Sequence, residues 1–184
     1  MMKLPWQDTE SAYGSVSRLL HWSMALLLGW QFFGMIVKLS IGRSPLTAFL
    51  VGTHRPIGLL LLALCLLRIL WALFNARRRP AYAGTVAGRL AWSGHIALYV
   101  LMLTIPALGL LRQLGSGKAF SAFGIEISRD TGIEIPWMTA PADLLHGLLA
   151  WCLLALIAGH VFMVLVHRYI LHDGTLARML GPRA

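Results

Sequence analysis

The chain has 184 residues, of which 58% are hydrophobic and 12% charged, and its formal net charge is +9. About a quarter of the residues of a soluble domain are charged, so this composition excludes an ordinary water-soluble enzyme and predicts an integral membrane protein. The positive charge does not indicate nucleic acid binding, because the basic residues gather at the ends of apolar segments and form no polar face with interleaved aromatic residues.

Four apolar segments are long enough to cross a hydrocarbon core, which takes about 20 residues on a helix. The third contains Pro106, which a spanning helix tolerates as a kink. No alternating pattern of barrel strands is present. The sequence therefore predicts an all-α membrane protein, a four-transmembrane-helix bundle that forms a single domain over residues 1–184. The predicted helices are 19–37, 54–74, 90–111 and 143–170, and the longest connection is 112–142.

Lysine and arginine are distributed unequally between the two ends of the predicted bundle. One end has nine of them, counting Arg168 in the last turn of the fourth span, and the other end has five outside the spans. The densest group is the arginine run at 77–79. Cytoplasmic loops carry the excess of basic residues, so both termini are predicted to be cytoplasmic and the 112–142 connection periplasmic. The nine are Lys3, Arg18, Arg77, Arg78, Arg79, Arg89, Arg168, Arg178 and Arg183, and the five are Lys38, Arg43, Arg112, Lys118 and Arg129.

Two histidines, His146 and His160, lie within the fourth predicted span, DLLHGLLAWCLLALIAGHVF. On a helix, the fourteen residues between them turn the chain to within about 40° of the starting direction and advance it by about 21 Å. Both rings therefore lie on one helix face at different depths. Ionisable side chains inside a membrane span are candidates for function by default.

His21 and His54 lie near the starts of the first and second predicted spans, which run in opposite directions. In the predicted topology, His54 and His146 lie at a similar depth near the periplasm, and His21 and His160 lie at a similar depth near the cytoplasm. These two pairs are therefore predicted to face each other. Imidazole is an axial ligand of haem iron, so the sequence predicts two haem b groups, each with two histidine ligands. Two such ligands leave no open position for oxygen chemistry. No CxxCH motif occurs, so the haems are predicted to be held non-covalently.

Other histidines are open to more than one role. His95 begins the third span at a depth similar to that of His21, where it could replace His21 as the partner of His160, bind a haem propionate or bind a quinone headgroup. His167 follows His160 on nearly the same face, beside Arg168, and imidazole titrates near neutral pH, which suits proton exchange with a quinone. The alternative for His167 and His172 is an ordinary polar role at the interface. The predicted ubiquinone-binding residues are His95, His167 and Arg168.

Arg68 lies fourteen residues after His54 and hence on the same helix face. A buried guanidinium needs an anion, which could be a haem propionate or an acidic side chain, and the alternative is that Arg68 snorkels towards the interface. Arg55 could bind a propionate of the periplasmic haem in the same way. Gly58, one turn after His54, would leave space for a flat macrocycle, although small residues also serve ordinary helix packing in membranes.

The segments that carry these residues resemble the bacterial cytochrome b561 family. The resemblance extends over nearly the whole chain, through RLLHW, THRPIGLLLL, GHIALY, IPALGLL, AFG, LHGLLAW with GHVF, and HRYILHDGTLARM. It implies a multi-pass protein of the bacterial inner membrane with four helices and two haem b. The implied iron ligands are His21, His54, His146 and His160. The resemblance also implies electron exchange with ubiquinone, and one branch of the family is a superoxide oxidase.

The expected function is therefore the oxidation of periplasmic superoxide coupled to the reduction of ubiquinone. A periplasmic surface that bears Lys38, Arg43, Arg112, Lys118 and Arg129 would attract a small anion, although four acidic residues oppose them. The first alternative is a haem-bearing conduit or membrane anchor that exchanges electrons between quinone and a separate redox protein. The second is a non-redox protein whose histidines bind a transition metal for transport.

Overall fold

The computed structural model describes residues 5–181, so Lys3 and Arg183 of the charge count lie outside the described residues. Within this range, four helices are long and apolar enough to cross a membrane. This confirms the predicted all-α, four-helix membrane fold. The helices are α1 (Ser15–Ile41), α2 (Pro45–Phe74), α3 (Val86–Gly115) and α4 (Pro136–Val166), and α4 continues into a π-helical turn (His167–Leu171).

Each spanning helix begins before the segment predicted for it, and the difference is largest in α2. The predicted start at 54 was wrong, because α2 begins at Pro45. The Oγ of Ser44 accepts a hydrogen bond from the Thr47 N–H (3.2 Å), and the Thr47 Oγ1 accepts one from the Ser44 N–H (2.8 Å). This capping box, with proline at the first helical position, starts the helix ahead of the most apolar stretch. His54 therefore lies inside α2 and not at its start.

The predicted 112–142 connection is shortened at both ends by α3 and α4, and residues 116–135 contain an antiparallel hairpin of β1 (Phe120–Ala122) and β2 (Ile125–Ser128). Phe123 and Gly124 form its turn, with φ of 53° and 79°. Two successive positive φ values match the twist of the flanking strands. Phe120 and Ala122 are buried and β1 contacts α2. The hairpin therefore lies against one end of the bundle, which we call the hairpin end.

Consecutive helices pack side by side, α1 on α2, α2 on α3 and α3 on α4. The buried core at the centre consists of Met24, Leu61 and Cys65, surrounded by partly buried leucine, isoleucine and methionine side chains. Leucines on the outer surface, such as Leu26 and Leu144, are exposed. In a bilayer these side chains contact lipid, which is as apolar as they are.

The N-terminal segment is fixed to the other end of the bundle through Asp8, which is 2% exposed. Its Oδ2 forms an ion pair with Arg79, 3.1 Å from the Nε. The Nε–H of Arg79 does not point at this oxygen, so the two described atoms form no hydrogen bond. Its Oδ1 accepts a hydrogen bond of 2.9 Å from the Gly14 N–H. The Asp8 N–H itself donates to the Asn75 Oδ1 at 3.3 Å. Residues before α1 are therefore tied to the end of α2.

The short C-terminal helix α5 (Thr175–Leu180) packs on the start of α1. The Nε of Arg18 donates to the Met179 carbonyl at 3.0 Å, and its guanidinium also contacts the Leu180 carbonyl. Trp22 Nε1 donates to the same Met179 carbonyl at 3.4 Å. The described residues before α1, the connection after α2 and α5 therefore lie together, at what we call the terminal end.

Candidate functional site

The structure brings together the two histidine pairs that depth predicted from the sequence. The ring centroids of His54 and His146 lie 6.0 Å apart, and those of His21 and His160 lie 6.4 Å apart. Two metal–imidazole bonds of about 2 Å, with each ring centre about 1 Å behind its nitrogen, place opposed ligands of one metal ion about 6 Å apart between centroids. Both pairs have the spacing that axial ligands of a single iron require.

His54 and His146, which we call the hairpin-end pair, differ in the hydrogen bonds that their imidazoles make. His146 Nδ1 donates a hydrogen bond of 3.0 Å to the Ile105 carbonyl on α3. This fixes the tautomer and leaves Nε2 as the nitrogen with a free lone pair, which is the usual state of a metal-binding histidine. The Nδ1 of His54 is buried and has no hydrogen-bond partner among residues 5–181. A buried polar nitrogen without a partner is costly, so the pair as it stands is suited to binding a further group.

A cavity of about 300 Å³ adjoins the hairpin-end pair and is lined by all four spanning helices. Its lining is apolar apart from the two imidazoles and Gln31. Within the described residues outside its own stretch of helix, a β-carbon at Gly147 would meet nothing within 4 Å, and one at Gly58 would meet only the Gln31 amide at 3.6 Å. An apolar space with two opposed imidazoles and unfilled positions in its wall fits a non-covalently held haem b.

At the terminal end, three histidine rings meet where the sequence left two alternatives open. His95 lies 5.2 Å from His160, closer than His21, and its ring is also 5.7 Å from that of Tyr82. The Nδ1 of His95 donates a hydrogen bond to the Ala91 carbonyl at 2.6 Å. His21 has the spacing expected of an axial ligand, whereas His95 is closer to His160 than two ligands of one iron would be.

Arg68 points into the bundle and is 9% exposed. Its Nε donates to the Tyr99 hydroxyl at 2.9 Å and its Nη1 to the Ser17 carbonyl at 3.1 Å. In the described part of the chain, no carboxylate lies within ion-pairing distance of it. Its position fits the predicted binding of an anion better than snorkelling to the interface. Arg55, in contrast, is exposed at the hairpin end of α2.

The predicted quinone residues are not joined in one contact. His167 lies in the π-helical turn, where its Nδ1 is 2.5 Å from the Asp173 Oδ2. Hydrogen bonds from Thr175, with a smaller contribution from His167, lower the pKa of Asp173 to about 2. Asp173 is thus an anion beside His167 at neutral pH. No contact among residues 5–181 links His95 to His167 or to the exposed Arg168, so a shared quinone site stays a prediction.

Two residues of the hairpin-end site were not predicted. Gln31 on α1 donates to the His54 carbonyl at 2.9 Å, and a lone polar side chain in an apolar span was a usable signal for it. Gly109 lies against the ring of His146, because a β-carbon there would be 3.2 Å from the imidazole Cε1. One glycine among eighteen gives no such signal, since its partner is on another helix.

The chain is similar in sequence, over most of its length, to one protein family and to several bacterial proteins. Residues 12–182 match the family described as prokaryotic cytochrome b561. The chain is 31% identical to the cytochrome b561 homolog 2 of Escherichia coli over 198 residues, covering 97% of this chain and 96% of that protein. It is 30% identical to the cytochrome b562 of Cereibacter sphaeroides, covering 95% and 98%. It is 26% identical to the probable superoxide oxidase CybB of Yersinia pestis, covering 89% and 93%.

Proposed function

The chain belongs to the prokaryotic cytochrome b561 family of haem b-binding membrane electron-transfer proteins, and from that premise we propose that it oxidises superoxide and reduces ubiquinone in the bacterial inner membrane. It is a multi-pass bacterial membrane protein. We propose that residues 1–184 form one domain with two non-covalent haem b groups. His54 and His146 would hold one, and His21 and His160 the other.

The two histidine pairs carry this proposal. They have ring separations of 6.0 Å and 6.4 Å, and they lie at different depths because His146 and His160 are on the same helix. Haem b held between two imidazoles supplies one-electron transfer without an open coordination position. The Ile105 carbonyl orients one ligand, and Arg68 provides a positive charge for a carboxylate near the other pair.

The orientation follows the charge count. Arg77 and Arg78 are exposed at the terminal end, and an excess of lysine and arginine favours the cytoplasmic side. We therefore assign the terminal end to the cytoplasm and the hairpin end to the periplasm. The His54–His146 pair is then the one nearer to the periplasm, where an external donor would deliver electrons.

Superoxide is a small anion, and local positive charge would raise its concentration at the hairpin end. Two of the basic residues there are neutralised in part, since Arg112 lies 2.5 Å from Asp143 and Arg129 lies 3.3 Å from Glu126. Lys38 and Arg55 are exposed, and neither forms an ion pair with another described residue. These two cations are the best candidates for attracting superoxide. The similarity to a probable superoxide oxidase supports the same donor.

Reduction of one ubiquinone to ubiquinol takes two electrons and two protons, so two superoxide anions would each lose one electron and leave as dioxygen. The protons would come from the cytoplasmic side. We assign their exchange to His167, whose imidazole contacts the carboxylate of Asp173. His95 and Arg168 remain the other proposed quinone residues.

The alternative is an electron conduit or anchor between quinone and a separate periplasmic redox protein. It is favoured by the hairpin, where Phe123 and Ile125 are each 65% exposed. Exposed apolar side chains at the end of a bundle are typical of protein contact sites. A soluble subunit that co-purifies with the chain in stoichiometric amount would support this alternative.

Stopped-flow spectroscopy distinguishes the two functions. The purified, oxidised protein would be mixed with superoxide, with and without ubiquinone, and the haem bands recorded. Superoxide oxidase activity predicts rapid appearance of the reduced b bands and their loss when ubiquinone is present. Reduction no faster than that of a control haem protein would reject superoxide as the donor and favour the conduit.

A further inference from the structure

The ring of His146 rests on a short stretch of α3 between two positions one helical turn apart. Its Nδ1 donates to the Ile105 carbonyl at 3.0 Å. A β-carbon at Gly109 would lie 3.2 Å from its Cε1 and 3.5 Å from its Nδ1. Residues i and i+4 share a helix face, and the carbonyl of residue i points towards residue i+4. The space left by the absence of a side chain at Gly109 is thus next to the Ile105 carbonyl, which accepts the hydrogen bond from His146.

The contact at Gly109 is with the imidazole and not with the backbone of α4. Apart from its chain neighbours and the nearby backbone of α3, the only described atoms within 4 Å of a β-carbon at 109 belong to the His146 ring. A glycine that allowed two helix backbones to approach would have backbone atoms there. A β-carbon added at Gly94 on the same helix, or at Gly147 next to His146, would meet no described atom within 4 Å outside its own stretch of helix. Gly109 therefore differs from Gly94 and Gly147, because its missing side chain leaves space for the His146 ring.

We propose that Gly109 is a positioning residue for His146. By lacking a side chain it admits the imidazole to the Ile105 carbonyl, which holds the proton on Nδ1 and leaves Nε2 facing the cavity. The inference rests on the proposed role of His146 as an iron ligand. Hydrogen bonds to the remote nitrogen raise the basicity of a metal-binding histidine and fix its ring orientation. Gly109 then sets the properties of one haem through that bond.

An alanine at 109 would push the ring away by a few tenths of an ångström and weaken its bond to Ile105. A less basic imidazole stabilises ferric iron less, so the midpoint potential of that haem rises. The other haem is held by His21 and His160 at the terminal end, and its potential stays unchanged.

The test compares Gly109→Ala with Gly94→Ala, because both replace glycine by a better helix former within α3. Redox titration and low-temperature EPR of the oxidised protein would record both haems, and the one that His146→Ala removes is the haem to follow. We expect Gly109→Ala to raise the potential of that haem and shift its low-spin EPR signal. Gly94→Ala should match the wild type in both.

Two outcomes separate this inference from the proposed function. If His146→Ala retains both haems, the ligand assignment is wrong and the inference falls with it. If His146→Ala loses one haem while Gly109→Ala matches Gly94→Ala, only the role of Gly109 is overturned. Should Gly109→Ala give no folded protein, ¹⁵N NMR of histidine-labelled, reduced wild type decides. One ligand histidine must then have a protonated Nδ1 that exchanges slowly with solvent, and fast exchange would reject the proposal.

Discussion

The guanidinium of Arg68 donates a hydrogen bond of 2.9 Å to the hydroxyl of Tyr99, so a buried cation is held by a neutral group. Its other described partner, the Ser17 carbonyl, is also neutral. A buried charge with only neutral partners is costly unless an opposite charge completes the site. A haem propionate would supply that charge.

Replacing Arg68 by methionine removes this cation from the terminal end. A positive charge near a haem favours the reduced form, so we expect Arg68→Met to lower the midpoint potential of the His21–His160 haem. An interaction worth about 1.4 kcal/mol corresponds to about 60 mV for one electron. Redox titration measures it. Arg77→Met, which removes an exposed arginine from the end of the same helix, should leave both potentials unchanged, and an equal shift in the two variants would contradict the assignment.

His54→Ala and His146→Ala should each remove the haem at the hairpin end and retain the other. Loss of one axial imidazole leaves an iron that the apolar cavity holds only weakly. Haem content per protein, measured as the pyridine haemochrome, should fall to about half. His172→Ala is the matched control, because His172 is exposed beyond the spans. Two haems in both ligand variants would mean that other residues bind the iron.

The partner of His160 is tested by His21→Ala and His95→Ala. Because the 6.4 Å separation of His21 fits an axial pair and the 5.2 Å separation of His95 does not, only His21→Ala should lose the terminal-end haem. His95→Ala should keep both haems and lose activity with ubiquinone. Haem content and steady-state ubiquinone reduction report the two effects separately. The reverse haem result would move the ligand from α1 to α3.

The helices and the histidine pairs could be predicted because both depend on local pattern. A run of apolar residues identifies a span, and the positions of His21, His54 and His146 along their spans give depth. The start of α2 could not be found this way, since a capping box at Ser44 and Thr47 begins the helix and hydropathy does not detect it.

Contacts between helices were the part that sequence could not supply. Whether His95 or His21 lies opposite His160 depends on how α1 and α3 rotate about their axes, and no local pattern determines that rotation. The same is true of Gly109, whose role depends on a ring carried by α4. The side-chain partners of Arg68 were undetermined for the same reason, although its helix face was predictable from its spacing to His54.

Asp8→Asn should destabilise the terminal end, because it leaves the charge of Arg79 without its buried partner. Removing one member of a buried pair costs about 3–5 kcal/mol, but the Arg79 side chain is 21% exposed. We therefore expect a loss of about 1–3 kcal/mol in the free energy of unfolding, seen as a lower midpoint in thermal denaturation. The exposed Glu10→Gln should have little effect. Equal midpoints in the two variants would show that the ion pair does not stabilise the fold.

The docking of α5 on α1 sets an order for the synthesis of the molecule. Arg18 and Trp22 are made well before Met179, whose carbonyl accepts from both, because 161 and 157 positions of the chain separate them from it. The first helix therefore enters the membrane long before its final contacts exist. Until α5 is made, the end of the bundle that holds His21 and His160 lacks one of its elements.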